Sequence, residues 1–432
     1  MMKERRVAPA LVLGWGSVIA TCMLVMPFLR RPEHRHLFIT CITIAAGAYI
    51  RTLFLLDRVS PASRRALLIS LALAAFWRVP LLLKPPTLSS DVYRYVFDGK
   101  IQRLGDNPYV VVPADHPELH TAETRLMNHP LLPTLYPPGA ELFFRVVMSV
   151  HESARAMKSA LVTCDIATAC VLLLWLVVSG RNPWWLLAYT WNPLVSLEGA
   201  GNGHVDLLGT LCMVTAAFML SRGRRTIAAL ALALGIAVKF LPVVLLPLFW
   251  RRIGIRDAAW ALALLAMLYL PFLGSGGPPV GSLRIYLARW RVNDPIYSVL
   301  RHIFPTNTLV PSTALVALPV ACGFAVAVWA RWHWPINSPA TWAWPVAIAL
   351  LFAPSVFPWY LLWLTPFLFA PSMLPLAVWT VSSLVIYSSL PVWTAGAIEY
   401  GAVAIAAGLM IFGQSGLVSD FIRRNNRMRD VV

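Results

Sequence analysis

Asp91, Arg94, Tyr95 and Asp98 stand at i, i+3, i+4 and i+7, so on a helix they share one face. A carboxylate beside cations can take a proton from a hydroxyl as general base; the same spacing also suits a salt-bridged interfacial helix. Further on, Tyr136-Pro137-Pro138 precedes an apolar run, and tandem prolines suit a helix N-terminus. Glu141 and Arg145, four apart, are spaced to pair. Glu198-Gly199-Ala200-Gly201-Asn202-Gly203-His204-Val205-Asp206 links two apolar segments. His204 and Asp206 could take a metal or a phosphate, although one His and one Asp are few for a metal. The other reading is a capped helix start, with Asp206 or Asn202 as cap. Pro358 should open a helix and put Trp359 and Tyr360 either in an interfacial aromatic belt or under a sugar ring. Arg289 and Arg291 offer forks for a phosphate, or snorkel from an interfacial helix.

The elements that must position these residues are apolar. The 432 residues are 58% hydrophobic and 13% charged, with a mean hydropathy of +0.67. Soluble domains carry about 25% charged residues, so a soluble protein is excluded, and so is disorder. Net charge is +17, but clusters such as Arg64-Arg65, Arg251-Arg252 and Arg423-Arg424 sit between apolar runs. That is the pattern of topology signals and not of nucleic-acid binding. The six cysteines lie in apolar segments with no CxxC pair, which suits neither a disulfide framework nor zinc. The run Leu11–Leu29 lacks a small-residue cleavage site and reads as a retained span.

Apolar segments fall at about 10–29, 37–56, 66–83, 138–150, 157–178, 184–198, 204–221, 226–249, 257–273, 310–331, 341–353, 359–370, 374–390 and 398–414. A span needs roughly 20 apolar residues. The expected fold is an all-α polytopic membrane protein of about 12–14 transmembrane or re-entrant helices, one domain over 1–432. With all segments crossing and Lys3, Arg5 and Arg6 cytoplasmic, the tail Arg423–Arg429 and the loops Arg58–Arg65, Arg155–Lys158 and Arg251–Arg256 obey the positive-inside rule. Arg30–Arg35 and Arg222–Arg225 disobey it. The latter conforms if 184–198 and 226–249 both dip in and return, and Lys239 and Pro242 suit a broken segment. Two polar stretches, 84–137 and 274–308, become extracytoplasmic loops. The first holds six of the nineteen acids, so the chemistry belongs on that face.

The succession SSDVYRYVFDGK, GDNPY, YPPGAELFF, WNPL, GNGHVD, RWRVND and PSVFPWYLLW, over about residues 88 to 363, resembles the polytopic glycosyltransferases of the C superfamily. It is most similar to bacterial polyprenol-phosphate-mannose-dependent mannosyltransferases. Relatives often have two adjacent acids where this chain has Ser90-Asp91, which weakens a metal site there. The resemblance implies transfer of a hexosyl, expected to be mannosyl, group from a polyprenyl-phosphate donor to a hydroxyl of a glycan or glycolipid. It also implies that transfer takes place at the extracytoplasmic face of the inner (plasma) membrane, with inversion. Asp91 takes the catalytic base role. Arg289, Arg291, His204 and Lys239 become candidates for the donor phosphate, and Asp98, Tyr93, Arg94, Asp206, Trp359 and Tyr360 for sugar or acceptor. No metal ligands are assigned and no cofactor is certain, with a divalent cation left open. The partners are the lipid bilayer, the lipid-linked sugar and the acceptor, with no nucleic acid. Two competing readings are a transporter or flippase of lipid-linked sugar, which often shows internal repeats not seen here, and a non-catalytic scaffold.

Overall fold

A computed structural model of the chain describes residues 6–29, 32–274, 279–303 and 312–414. The tail Arg423–Arg429 and Lys3, Arg5, Arg30 and Arg31 lie outside them. Among the described residues the protein is all-α and polytopic, with no strand and two isolated bridges, Val7 with Val59 and Val292 with Ser355. Among the described residues six helices are long and apolar enough to cross a membrane: Pro9–Phe28, Arg35–Leu53, Arg64–Leu83, Ala154–Val178, Ile255–Phe272 and Val392–Phe412. Shorter apolar helices cover Asp206–Ser221, Arg225–Val238, Pro339–Leu351 and Pro371–Tyr387.

The bundle has an arginine end and a carboxylate end. Helix α1 (Pro9–Val25) starts beside Val59 and leads to Phe28, whose ring lies 5.1 Å from the Lys84 ammonium. Helix α2 (Arg35–Leu53) returns, and α3 (Arg64–Leu83) runs out again to Lys84. Two amphipathic helices follow, α4 (Asp91–Leu104) and α5 (Pro138–Val150). Gln102 of α4 donates to Glu141 near the start of α5, and Lys100 reaches Glu152 just beyond its end. Both ends of α5 therefore lie along α4. At 13 residues, or about 20 Å, α5 falls short of a roughly 30 Å hydrocarbon core and stays at the carboxylate end.

That departs from the sequence-based topology. Helix α6 (Ala154–Val178) starts where α3 finishes, with Lys158 Nζ donating to Leu81 O (2.9 Å) and Lys84 O (2.7 Å). Arg155–Lys158 thus sits at the carboxylate end, away from Arg58–Arg65. Helix α6 ends near Asn182, which donates to Leu56 O and Val59 O. From there a broken pass returns through α7 (Leu187–Thr190) and a π-helix, Val195–Gly201. Breaks free backbone groups that lipid cannot satisfy, and neighbours supply partners. Arg78 donates to Thr190 O and Asp165 Oδ2, Tyr49 to Ala188 O, and Trp77 to Ser196 Oγ.

Helix α8 (Asp206–Ser221) then leads to the arginine end and α9 (Arg225–Val238) comes back. At Lys239 the backbone becomes extended, and Pro242, which lacks an N–H, follows in a 3-10 turn. The chain retreats through α10 (Leu246–Phe249) to Arg252, which donates to Arg331 O. The segment 226–249 therefore makes two passes, while 184–198 makes a full one. Losing the pass at 138–150 and doubling 226–249 keeps the parity. It also puts Arg222–Arg225 at the same end as Arg58–Arg65 and Arg251–Arg256, whereas Arg35 stays at the other.

Helix α11 (Ile255–Tyr269) leads to the second polar stretch, carrying α12 (Leu283–Arg289) and α13 (Pro295–Ile303). Then come α14 (Ser312–His333), α15 (Pro339–Leu351), a 3-10 helix over Pro358–Phe367, α16 (Leu374–Ser382) and α17 (Val392–Gln414). Pro358 does open a helix, but a 3-10 one. Its Trp363 ring lies so close over Gly209 that an added Cβ would meet it at 2.0 Å. Overpacking of this kind costs about 1–3 kcal/mol. Gly209→Ala should lower the thermal unfolding midpoint of the detergent-solubilised protein, and an unchanged midpoint would refute that close approach.

Candidate active site

The sequence starts α4 at Asp91 because the Ser89 hydroxyl accepts from the Asp91 amide (3.3 Å) and a carboxylate suits the positive helix start. Asp91 Oδ1 accepts from Asn128 Nδ2 at 2.7 Å, and Oδ2 lies 3.5 Å from the Tyr136 hydroxyl. The side chain is 13% exposed and faces a cavity of about 160 Å³. Asp91 is the one carboxylate among its lining residues. Arg94 also lines it, but its Nε sits 2.8 Å from both Asp98 oxygens and its Nη1 donates to Leu132 O. One helix face thus splits its duties: Asp91 looks into the cavity, while Arg94 and the fully buried Asp98 form the salt bridge foreseen as the alternative. Tyr95 reaches the Tyr136 hydroxyl at 3.4 Å. Tyr93 instead lines a separate recess with Lys84, Glu123, Arg155 and Lys158.

Behind Asp98 lies Glu141, fully buried. It accepts from Thr134 (2.6 Å) and Gln102 (2.9 Å), while Arg145 is exposed. The expected Glu141–Arg145 pair is replaced by these contacts. Burial raises the Glu141 carboxyl well above the ordinary carboxylate range, and the Asp98 charge pushes it further.

Neither Asn202 nor Asp206 caps α8. Asn202 Oδ1 accepts from the Thr87 and Leu88 amides, strapping the first polar stretch to the bundle, and its Nδ2 donates to Glu198. Gly203 (φ +73°) makes the turn, where a Cβ would meet the Lys158 stem at 2.7 Å. His204, 1% exposed, lies behind Asp91. Its Nδ1 is 3.7 Å from Asp91 Oδ2 and its Nε2 is 3.2 Å from Glu198 Oε2, distances of ion pairing, with neither nitrogen aligned as a hydrogen bond. Trp359 stacks on the imidazole at 4.1 Å, interplanar angle 10°.

Asp206 Oδ1 accepts from Lys239 Nζ and Trp363 Nε1, both at 2.7 Å. The Lys239 ammonium also lies 3.7 Å from the Tyr360 ring centroid, a cation–π contact. Lys239 lines the polar cavity and also an apolar groove of about 460 Å³ between Phe240, Val244, Leu283, Leu287, Val320 and Leu350. Tyr286 and Tyr360, hydroxyls 2.5 Å apart, line both as well. A polar chamber with one carboxylate thus meets an apolar slot at Lys239 and three tyrosines, Tyr136, Tyr286 and Tyr360. Arg289 is exposed at the end of α12. Arg291 donates to the Leu287 and Ala288 carbonyls and stacks on Tyr297. Neither arginine lines the chamber.

Sequence reasoning gave no role to Asn128, His129, Tyr136, Glu198, Tyr286 or Trp290. Tyr136, Glu198 and Trp290 stood inside quoted motifs, and Tyr286 lay three residues before one. Asn128 and His129 carried no signal, and only the fold shows His129 at φ +49° against Trp290. Among the described residues no group of three or more His, Cys, Asp or Glu could hold a metal ion.

Residues 7–253, more than half of the chain, match the family model described as "Alpha-(1->6)-mannopyranosyltransferase, N-terminal domain". The match includes Asp91, Asn128, Tyr136, Glu198, His204, Asp206 and Lys239. Alpha-(1->6)-mannopyranosyltransferase A of Mycobacterium tuberculosis is 24% identical over 328 residues, 68% of this chain. The similarity spans 63% of that relative's length.

The raised Glu141 has a pH consequence. A carboxyl whose folded pKa exceeds its unfolded one stabilises the fold at low pH, and that contribution is lost as pH rises from the ordinary glutamate value through the folded one. Glu141→Gln should flatten the decline of the thermal midpoint over that window. A pH slope identical to wild type would refute a protonated Glu141.

Proposed function

The chain belongs to the alpha-(1->6)-mannopyranosyltransferase family, and from that premise we propose that it transfers a mannosyl group from a polyprenyl-phosphate donor to a hydroxyl of a glycan or glycolipid. The observation that carries this reading is the junction of the Asp91 chamber with the apolar groove at Lys239, Tyr286 and Tyr360. A lipid-linked sugar needs such a pair of spaces: the groove takes the isoprenoid tail, the junction the phosphate, and the chamber the sugar and acceptor hydroxyl. Aromatic faces at Trp290, Trp359 and Tyr360 suit a sugar ring.

Asp91 takes the proton from the acceptor hydroxyl as that oxygen attacks the anomeric carbon. Asn128 fixes the carboxylate through Oδ1. Charge develops on the departing phosphate, and a positioned cation stabilises it; Lys239 is placed for that, with Asp206 and Trp363 holding its ammonium in register. One carboxylate in the chamber supports inversion, since a double displacement uses a second as nucleophile. With inversion, the α linkage in the family's description requires a donor of the opposite, β configuration. Arg58–Arg65, Arg222–Arg225 and Arg251–Arg256 gather at the far end of the bundle, which by the positive-inside rule supports a chamber on the extracytoplasmic face.

The test supplies purified protein with radiolabelled polyprenyl-phosphate mannose and a membrane lipid extract. Label should move to lipid or glycan with wild type and fall about 10²- to 10⁴-fold with Asp91→Asn. Full transfer by Asp91→Asn would remove the base assignment. Lys239→Met should lower kcat about 10²-fold, with Lys239→Arg retaining more, and equal loss in both would argue against a phosphate contact.

A further inference from the structure

Glu198 is a fully buried carboxylate with no part in the steps above. Its Oε1 accepts from the Tyr387 hydroxyl (2.6 Å) and its Oε2 from Asn202 Nδ2 (2.9 Å). His204 lies between it and Asp91 with both ring nitrogens unaligned to any partner, and Trp359 stacks in parallel on the ring. Three elements thus converge on the imidazole, α4 with Asp91, the π-helix with Glu198 and the 3-10 helix with Trp359, while the Lys158 stem of α6 packs under the neighbouring Gly203. The Lys158 charge is turned away onto the Leu81 and Lys84 carbonyls. Two carboxylates on opposite edges of one ring set its plane.

We propose that His204, backed by Glu198, receives the catalytic proton from Asp91 and holds it until the products leave. The proposal rests on the mannosyl-transfer reading above. In that reaction the acceptor O–H bond breaks, the new bond to the anomeric carbon forms, and the lipid phosphate departs with the electron pair of the old C–O bond. The proton arrives on Asp91. It then passes from Oδ2 to His204 Nδ1, a separation of 3.7 Å here that a small ring movement closes. The resulting imidazolium keeps its Nε2 proton on Glu198. Asp91 is ionised again, so no acid remains beside the new glycosidic oxygen to return the proton and reverse the step. Once the products have left, the imidazolium returns its Nδ1 proton to Asp91, which lines the chamber and passes it to the refilling water. His204 is therefore a positioning and relay residue that acts through Asp91.

The test uses the full chain in nanodiscs. His204→Gln should lower kcat about 10²-fold, leave the donor KM within about twofold, and displace one limb of the kcat–pH profile. His204→Ala should regain rate on addition of imidazole, which a purely structural role would not permit. Independently of turnover, the histidine ¹⁵N titration midpoint of His204 should fall in both Asp91→Asn and Glu198→Gln, each of which removes a negative neighbour. Wild-type kcat in His204→Gln, absence of imidazole rescue in a folded His204→Ala, or an unmoved midpoint overturns the relay. A wild-type protein that transfers no mannose from the donor defeats the preceding reading instead, and the titration still decides the coupling.

Discussion

The contact between Lys239 and Asp206 is the one on which the candidate site depends. A lysine inside an apolar run is costly unless its charge is met. Here the break after α9 places the ammonium at the start of α8, 2.7 Å from the carboxylate. Three pieces meet at this point: α8 through Asp206, the end of α9 through Lys239, and the 3-10 helix through both Trp363 and Tyr360. The shape of the chamber follows from keeping that buried pair satisfied. Removing one partner would leave the other uncompensated, a loss of about 3–5 kcal/mol at a buried site.

The same demand explains the other breaks. The π-helix at Val195–Gly201 carries Glu198 and is braced by Trp77 and Tyr387. The Arg78–Asp165 pair sits beside the short helix before it and takes up Thr190 O. Broken backbone occurs where side chains of neighbouring helices can complete its hydrogen bonds, and those side chains are the polar residues an apolar sequence can least spare. The first polar stretch is held in the same way, by Asn202 on Thr87 and Leu88 and by Glu123 on the Ala154 amide.

Much of this was legible in the residues. Periodicity and composition gave the all-α bundle, and the spacing of Asp91 to Asp98 gave a helix face that the structure confirms as one surface. What the sequence left hidden was direction. Hydropathy treats 138–150 and 226–249 alike as apolar runs, yet one lies along α4 and the other doubles back. The difference is set by distant partners: Gln102 and Glu152 for the first, Arg331 for the second. Asn128 was unreadable for a similar reason, since it meets Asp91 only through the loop that returns it there.

The doubling at Lys239 also bears on how the protein is made. Its outgoing leg is a short apolar helix and its return leg carries Pro242 and Pro247, so neither half matches a bilayer alone. Such a hairpin enters the lipid as a pair or not at all. Its return leg packs mainly against α14 and α15, which are translated later. The junction between chamber and groove is completed only when those helices have emerged. A ribosome-bound chain that stops before them carries the Asp91 helix but lacks the groove wall that Pro319, Val320, Ala349 and Leu350 supply.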